Sequence, residues 1–513
     1  MPYLDLRMMG KDNSLEADVC IVGAGVAGSV LAAELVKSNQ KIILLESGGA
    51  TANPDTQSLY DLEFTRLPFR KNFVSRVREY GGSCNTWTGR AMQFQAIDFT
   101  GQKNIPLHKW PITLADIKPF YAKAGTYLNL PDQQKFNLLF WSDKLSTDEK
   151  GFWNETNLAP TISLWSKQNT RFGFESKTQS RIKAAEKITT VVWANLTNLS
   201  LHKDLKTVAT ITANSINGNS LTLKAKRFVL ACGGIENASI LLNSNKQLPN
   251  GLGNQCDNVG RYFMDHPKFD QGIIKLLKPM TLNHMIGRPM LDGKVRLGLA
   301  LDPVIQQKEN LLNPHLTISP VFLNQDSKTS TILEEVSDDQ STEKINSSAK
   351  KIARYYLKNA LRPSKVVNFK ITNYLEQAPI AESRVYLSNQ KNQLGQRKSV
   401  LNWQVDDRAF RSIERLHHYL KKYLTNHQIG VLEAPFDILN PPSLSDASHH
   451  MGTTRMSSQP ADGVVDADCK VHGLTNLYIA GSSVFPTSGN ANPTFTIIAL
   501  AIRLAKHLNQ QND

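Results

Sequence analysis

The chain has 513 residues, of which 41% are hydrophobic and 20% are charged. This length predicts two to four structural units with a sizeable core, and the composition excludes a disordered or fibrous protein. The formal charge of +14 comes from basic residues spread along the whole sequence, without a basic arm or a finger or zipper pattern. We therefore expect no nucleic-acid partner.

The five cysteines have no CxxC spacing, which favours neither a disulfide framework nor a zinc site. Residues 1–18 lack a signal-like apolar run, and no stretch of about 18 apolar residues predicts a membrane span. We expect a cytoplasmic protein with no bound metal and no integral membrane association.

Three distant segments have the pattern of a nucleotide-binding α/β unit. In each, a short apolar run leads into a turn and then a helical pattern, with glycines in or before the turn. The segments are residues 17–46, 226–242 and 476–508. They predict one discontinuous Rossmann-like α/β domain.

Gly23, Gly25 and Gly28 form a GxGxxG pattern between a predicted strand, 18–22, and a predicted helix, 26–36. In this context the first glycine permits a tight turn, the second allows the backbone to approach a pyrophosphate, and the third allows the helix to pack closely on the strand. The helix N-terminus supplies amide donors for the phosphates. The motif alone does not separate FAD from NAD.

Glu46 ends the second predicted strand of this unit. An acid at that distance from the glycines receives ribose hydroxyls and repels a 2′-phosphate, which disfavours NADP. The alternative is that the glycines only make a turn and that Glu46 is a solvated strand end.

A second glycine loop, residues 78–90, contains Gly81 and Gly82 with small polar residues. It can bring backbone amides close to a flat ring and its phosphates, although a surface turn would have a similar composition. The candidate ligand-binding side chains in it are Ser83, Asn85, Thr86 and Thr88.

The middle of the chain predicts a second domain of α+β type. About six β-like runs without intervening helices indicate a six-stranded antiparallel sheet that forms a substrate platform. These runs are 269–277, 295–300, 317–323, 366–375, 383–387 and 401–405. A polar stretch, 324–350, interrupts them as a mobile excursion or a disordered insertion, and residues 406–424 predict an amphipathic helix.

The C-terminal part carries three linked motifs: SHHMGTTRM at 448–456, a strand ending in Gly481 and Ser482, and SGNANPT at 488–494. Together they resemble the C-terminal signature of the glucose-methanol-choline (GMC) oxidoreductases, especially the bacterial pyranose-oxidase-like and sugar dehydrogenase branch. Motifs at 81–82, 233–237, 259–267 and 376–387 occur in the order of that family. The resemblance is loose over 100–185 and 277–365.

The resemblance implies a division into an FAD-binding domain, residues 1–100, 186–267 and 440–513, and a substrate-binding domain, residues 101–185 and 268–439. It also implies FAD as cofactor. The histidine that carries FAD covalently in the pyranose-oxidase branch is replaced by Thr86, so we expect noncovalent FAD. The expected cofactor-binding residues are Gly23, Gly25, Ala27, Gly28, Glu46, Ser47, Gly81, Gly82, Ser83, Asn85, Thr86, Thr88, Leu196, Gly233, Gly481, Ser482, Asn492, Pro493 and Thr494.

The resemblance places the catalytic pair at His449 and Asn492, and elementary chemistry agrees. Alcohol oxidation by hydride transfer needs a group that takes the hydroxyl proton near neutral pH, for which histidine is suited. An asparagine N–H can hold the developing alkoxide oxygen. Asn492 and Pro493 also predict a helix N-cap and first helical residue. His266 is expected to be a packing or interdomain residue, and His450 to point away from the flavin.

The expected reaction is oxidation of an alcohol, implied by the family to be a sugar, glycoside or polyol, to a carbonyl. The electron acceptor is oxygen, a quinone or a separate redox protein, since no haem-attachment CxxCH occurs. The alternatives are a flavoenzyme acting on a sterol, an amine or amino alcohol, a non-redox lyase on the same fold, and a flavin-binding protein without catalysis.

Overall fold

A computed structural model describes residues 3–67, 75–130, 132–152, 157–166, 172–290, 293–321 and 367–511. The predicted insertion at 324–350 lies outside these residues. Three β-sheets organise the described part of the chain. No helix within it is long and apolar enough to cross a membrane.

The first sheet has eight strands drawn from both ends of the chain and from residues 188–230. Its central strands pair in parallel, and two strands at one side pair antiparallel. The strands are β1 (Tyr3–Asp5), β2 (Asn13–Val22), β3 (Ile42–Leu45), β7 (Ile188–Val192), β8 (Asn195–Leu201), β9 (Val208–Asn214), β10 (Ser220–Leu230) and β19 (Leu477–Ile479). The three predicted segments therefore do build one mixed Rossmann-like sheet.

The second sheet is antiparallel, and the expected count of six strands is wrong. Seven strands lie side by side, and an eighth, of two residues, pairs with one of them. The seven, in spatial order, are β18 (Gly430–Glu433), β11 (Lys268–Leu276), β15 (Asn368–Tyr374), β14 (His315–Pro320), β13 (Gly293–Leu301), β6 (Leu158–Trp165) and β5 (Arg90–Ala91); the eighth is β12 (Pro289–Met290).

Two of the six predicted strands belong elsewhere. Residues 383–387 and 401–405 fall on β16 (Arg384–Lys391) and β17 (Arg397–Asn402), which form a separate sheet with β4 (Leu62–Phe64). Alternation of apolar and polar residues predicts a strand but not its partner, because pairing depends on segments far away in the chain.

The helices connect and cover these sheets. They are α1 (Val26–Leu35), α2 (Pro54–Ser58), α3 (Ala96–Thr100), α4 (Leu114–Tyr127), α5 (Leu138–Trp141), α6 (Thr147–Phe152), α7 (Lys177–Lys183), α8 (Gly233–Asn243), α9 (Pro303–Glu309), α10 (Asp407–Asn426) and α11 (Thr494–Gln510). Helix α10 matches the predicted amphipathic helix, and its buried face includes Ile413, Leu416 and Leu420. Helix α11 packs against α1 and α4.

Two large apolar clusters fill the fold, one behind each of the large sheets. The cluster of the first sheet includes Ile117, Tyr121 and Ala124 of α4. This helix lies in the range assigned to the substrate domain from the sequence, yet its apolar face covers the nucleotide-binding side. The predicted domain limits stay a prediction.

Gly28 determines how closely α1 approaches the end of β2. A Cβ atom at this position would lie 1.9 Å from the carbonyl oxygen of Gly23, so no side chain fits without moving backbone.

We predict that Gly28→Ala lowers the melting temperature, on the scale of about 1–3 kcal/mol for an overpacked interior site. Scanning fluorimetry of Gly28→Ala beside Gly10→Ala tests this, because a Cβ at Gly10 meets no atom within 4 Å. Equal melting of both variants would contradict the packing argument.

Candidate active site

A cavity of about 560 Å³ runs along the carboxyl ends of the parallel strands of the first sheet and reaches the second sheet at Lys268 and Tyr374. Ligands of open α/β sheets bind at this edge. Most of the predicted cofactor-binding residues line the cavity: Gly23, Gly25, Ala27, Glu46, Ser47, Gly82, Ser83, Thr86, Thr88, Leu196, Gly233, Gly481, Ser482, Asn492, Pro493 and Thr494.

Three glycines leave room for a ligand against the main chain. A Cβ atom built at Gly25, Gly233 or Gly481 would meet no atom of the described residues within 4 Å, although each glycine lies in the cavity wall. Gly25 also precedes the first residue of α1, where backbone amides point outward. This edge can therefore cradle a phosphate-bearing, elongated ligand.

The two predicted glycine loops touch each other. The Gly81 amide donates to the carbonyl oxygen of Ala24 over 3.1 Å, and a Cβ at Gly82 would lie 3.2 Å from the Cα of Gly25. Both Gly81 and Gly82 have positive φ, at 98° and 59°, which explains the glycine pair. The second loop thus closes over the first.

Three predicted cofactor-binding residues are not in the cavity wall. Gly28 lies behind it at the contact between helix and strand. Gly81 provides the turn. The Asn85 side chain donates to the carboxylate of Glu79 over 2.7 Å and to the carbonyl of Tyr80 over 2.9 Å. These residues shape the wall rather than face a ligand.

Glu46 is buried at the end of β3 and fixes the turn beside it. Its Oε2 accepts the Ala24 amide over 2.8 Å, and its Oε1 accepts the Gly48 amide over 2.8 Å. Burial raises the pKa of the Glu46 carboxyl, and these amides oppose that shift. The acid therefore organises the glycine turn and also lines the cavity.

His449 and Asn492 meet in the cavity wall, although 43 positions separate them. Asn492 Nδ2 lies 3.1 Å from His449 Nε2. His449 follows Ser448, whose φ of 62° turns the chain sharply, and Asn492 precedes α11. The two segments bring an amide donor and an imidazole nitrogen to one point of the cavity.

The predicted capping role of Asn492 is wrong. The cap position of α11 is Pro493, which has helical dihedral angles, and no side chain caps the helix. The Asn492 amide bonds to His449 instead. Pro493 presets the first turn through its fixed φ and has no amide that needs a partner, so the helix begins without the Asn492 side chain.

His266 contacts His449 directly, which its sequence context did not predict. Its Nδ1 lies 2.8 Å from His449 Nδ1, and its Nε2 lies 3.1 Å and 2.9 Å from the carbonyl oxygens of Ser488 and Gly489. The Asp-His-Pro motif at 265–267 was visible in the sequence, but nothing local indicated which residue the ring would meet.

Asp265 holds the two histidine segments together. Its Oδ1 accepts the backbone amides of His266, Ala447 and His449, over 2.6 Å, 3.2 Å and 3.1 Å. Burial, and secondarily the charge of Asp446, raises the pKa of Asp265 to about 7. A single carboxylate oxygen therefore fixes both backbones of the histidine pair.

The surroundings of His449 favour its neutral form. Burial lowers the pKa of His449 well below its ordinary value of 6.5, and the neighbouring His266 and Arg90 lower it further. Arg90 is a half-buried cation in the same cavity wall. His450 is set aside from this pair: its ring stacks on Phe263 with centroids 6.0 Å apart. The neutral imidazole is the form that can take a proton.

Residues 379–501, which include both His449 and Asn492, match the model of the GMC oxidoreductase C-terminal region. The chain therefore shares this C-terminal region with the GMC oxidoreductases. It is thus an oxidoreductase, an oxidase or a dehydrogenase, that acts on alcohol groups. FAD is the cofactor expected of the family, and the glycine cradle and the helix N-terminus fit its phosphates.

Similarity to known proteins extends over the whole chain at low identity. The chain is 22% identical to paromamine 6'-oxidase of Streptomyces fradiae, over 97% of this chain and 92% of that protein. It is 21% identical to the fructose dehydrogenase large subunit of Gluconobacter japonicus, over 96% and 98%. A variant of the Aspergillus oryzae formate oxidase has the same fold, with 16% identity, a TM-score of 0.58 and coverage of 98% and 99%.

Gly25 offers a test of the cradle that is independent of folding. Its φ of −67° suits any residue, and an added Cβ meets no protein atom. We predict that Gly25→Ala melts like the wild type but retains less FAD after purification, because the methyl group occupies ligand space. Flavin absorbance per protein and FAD titration of the apoprotein measure this. Full FAD occupancy with unchanged affinity would contradict the assignment of the cradle.

Proposed function

We propose that the protein oxidises a hydroxyl group of a sugar, glycoside or other polyol to a carbonyl with noncovalent FAD. The observation that carries the proposal is the contact between His449 Nε2 and Asn492 Nδ2 in the wall of a glycine-lined cavity. It places a proton acceptor and a neutral N–H donor where one substrate oxygen can reach both.

In this proposal His449 takes the hydroxyl proton at Nε2. Without substrate, an Asn492 N–H faces the single lone pair of His449 Nε2. The substrate O–H replaces it there and transfers its proton to Nε2, while an Asn492 N–H donates to the substrate oxygen as negative charge develops on that oxygen. FAD, when bound, supplies the hydride acceptor. Gly25, Gly233, Gly481 and the start of α11 would hold it, with the helix N-terminus favouring negative charge nearby.

The substrate class is supported by two observations. Two relatives that match nearly the whole chain are named for fructose and for the aminoglycoside paromamine. The far end of the cavity is lined by polar side chains, among them Arg90, Lys268 and Tyr374, which suits a substrate rich in hydroxyl groups. A sterol would require an apolar entrance instead.

We further propose roles for the two large sheets, a cellular compartment, an electron acceptor and the mode of FAD attachment. The first sheet forms the FAD-binding unit and the second sheet the substrate-binding unit, in a cytoplasmic protein. Oxygen, a quinone or a separate redox protein removes the electrons. Thr86, at the position of the expected covalent histidine, donates its hydroxyl to the carbonyl of Ser83 and offers no nitrogen for a flavin bond.

The proposal predicts which compounds reduce the flavin. Under anaerobic conditions, sugars, glycosides or polyols should bleach the visible absorbance of the bound FAD, whereas amines and sterols should not. This screen makes no assumption about the electron acceptor. Bleaching by an amine or a sterol alone would contradict the substrate class, and bleaching by none of the compounds would contradict the redox function.

We predict that His449→Ala retains FAD and folds, but slows flavin reduction by about 10²–10⁴-fold, the usual contribution of a general base. Stopped-flow absorbance under anaerobic conditions measures the rate, with the exposed His418→Ala as control. Because the pKa of His449 lies below 6.5, the base form persists as pH falls through 6.5. The acid limb of kcat/KM assigned to His449 should therefore lie below pH 6.5. An unchanged rate in His449→Ala would remove this residue from the mechanism.

Noncovalent attachment has a direct test. Acid or heat precipitation should release all of the yellow colour into the supernatant, because Thr86 cannot form the covalent bond to FAD that a histidine forms at this position in the pyranose-oxidase branch. Colour that stays with the precipitated protein would contradict this part of the proposal and leave the assignment of the catalytic pair untouched.

A further inference from the structure

We propose that His266 is a positioning residue that fixes the protonation pattern of the His449 ring, with hydrogen on Nδ1 and a free lone pair on Nε2. The proposal rests on the proposed function in one respect, the role of His449 as base. It assigns to His266 a task that its sequence motif does not indicate.

The bonds on the far side of the His266 ring determine where this ring carries its hydrogen. Within the described part of the chain, both hydrogen-bond partners of His266 Nε2 are carbonyl oxygens, those of Ser488 and Gly489. A carbonyl oxygen accepts and never donates. Nε2 must therefore carry hydrogen. Since burial lowers the pKa of His266, the ring is neutral, and its Nδ1 carries a lone pair.

That lone pair decides the state of His449. The two Nδ1 atoms are 2.8 Å apart, a distance at which two lone pairs would repel. His449 Nδ1 must carry the hydrogen and donate it to His266 Nδ1. A neutral imidazole has one N–H, so His449 Nε2 is left with a lone pair. The Asn492 N–H at 3.1 Å matches this arrangement, because Nε2 then needs a donor.

The geometry leaves little freedom for another arrangement. Both backbones are bound to the same Asp265 oxygen. The two rings meet edge to face, with centroids 5.0 Å apart and an interplanar angle of 81°. Antiparallel contacts between Met264 and Met451 lie directly beside the pair. A flipped His449 ring would place carbon against the His266 lone pair and lose the hydrogen bond.

The same chain of bonds sets the route of the proton. When the substrate O–H bond breaks and a bond from hydrogen to His449 Nε2 forms, the imidazolium still donates from Nδ1 to His266. The carbonyls beyond His266 cannot accept a proton permanently. The proton therefore stays on the histidine pair and leaves from the cavity side.

Two variants distinguish a positioning role from a packing role. One keeps the hydrogen bond to His449 and the other keeps the hydrogen bonds to the two carbonyl oxygens. In His266→Asn the side-chain oxygen lies close to the position of Nδ1 and can accept from His449, but the bonds to Ser488 and Gly489 are lost. In His266→Gln the amide nitrogen lies near the position of Nε2 and can donate to those carbonyls, but the acceptor for His449 is lost.

We expect His266→Gln to slow flavin reduction at saturating substrate by about 10²–10⁴-fold, because a base left in the wrong tautomer loses its function, with little change in substrate affinity. His266→Asn should stay within about tenfold of the wild type. Melting temperature and FAD content check that both variants fold. A wild-type rate in His266→Gln, or an equal loss in the two folded variants, would overturn the proposal.

A second readout does not depend on turnover. In protein with ¹⁵N-labelled histidine, the His449 signals, identified by their absence in His449→Ala, should report a protonated Nδ1 and an unprotonated Nε2. His266→Gln should shift this pattern, and the exposed His418→Gln should leave it unchanged. A protonated Nε2 in the wild type would overturn the inference even if alcohols bleach the flavin. The expected pattern without bleaching by any alcohol would contradict the proposed function alone.

Discussion

One buried carboxylate oxygen fixes the backbone geometry around His449 and His266. Asp265 Oδ1 accepts three backbone amides, from His266 on its own segment and from Ala447 and His449 far along the chain. Burial raises the pKa of this carboxyl to about 7, and the three amides oppose that shift by bonding to its charged form. The carboxylate is therefore stabilised only when both segments are in place. The position of His449 over the cavity, and its contacts to Asn492 and His266, all follow from this junction.

The parts of the fold that were predictable from the sequence are those with a local physical cause. Gly23, Gly25 and Gly28 have separate steric tasks within one strand-turn-helix unit, and the structure shows a close contact at Gly28 and open space at Gly25. The first sheet follows from three such units. Glu46 was also visible, because the end of the next strand is set by the length of the unit.

The second sheet was harder to predict, because strand pairing is not local. Residues 383–387 and 401–405 alternate like the strands of the large sheet, yet they pair with each other and with β4. Strand β6, which pairs with β13 over seven residues, lies in a region where the family resemblance is loose. Short strands such as β5 carry too few residues for any periodicity to be recognised.

The candidate site likewise has features that were predictable from the sequence and features that depend on distant segments. His449 and Asn492 were expected to act together because two adjacent motifs resemble those of the GMC oxidoreductases, whereas the direct bond of the Asn492 amide to the His449 ring, in place of a helix cap, was not expected. Its contact with His449 rather than with the helix depends on how the chain returns across the first sheet. The contact of His266 with His449 was equally hidden, since it requires the register between residues 264–268 and 445–451.

Under the proposed function, that register ties substrate selection to catalysis. Strand β11 begins two residues after His266, and Lys268 pairs with Ser445 just before the catalytic segment. The backbone of the second sheet thus continues directly into the backbone that positions the His449 ring. A mutation that tilts β11 to admit a new substrate would misalign the proton acceptor at the same time. Strands β6 and β13 lie farther along the sheet, and their described pairings are with β5, β14, β12 and each other rather than with β11, so changes there leave the β11 junction in place.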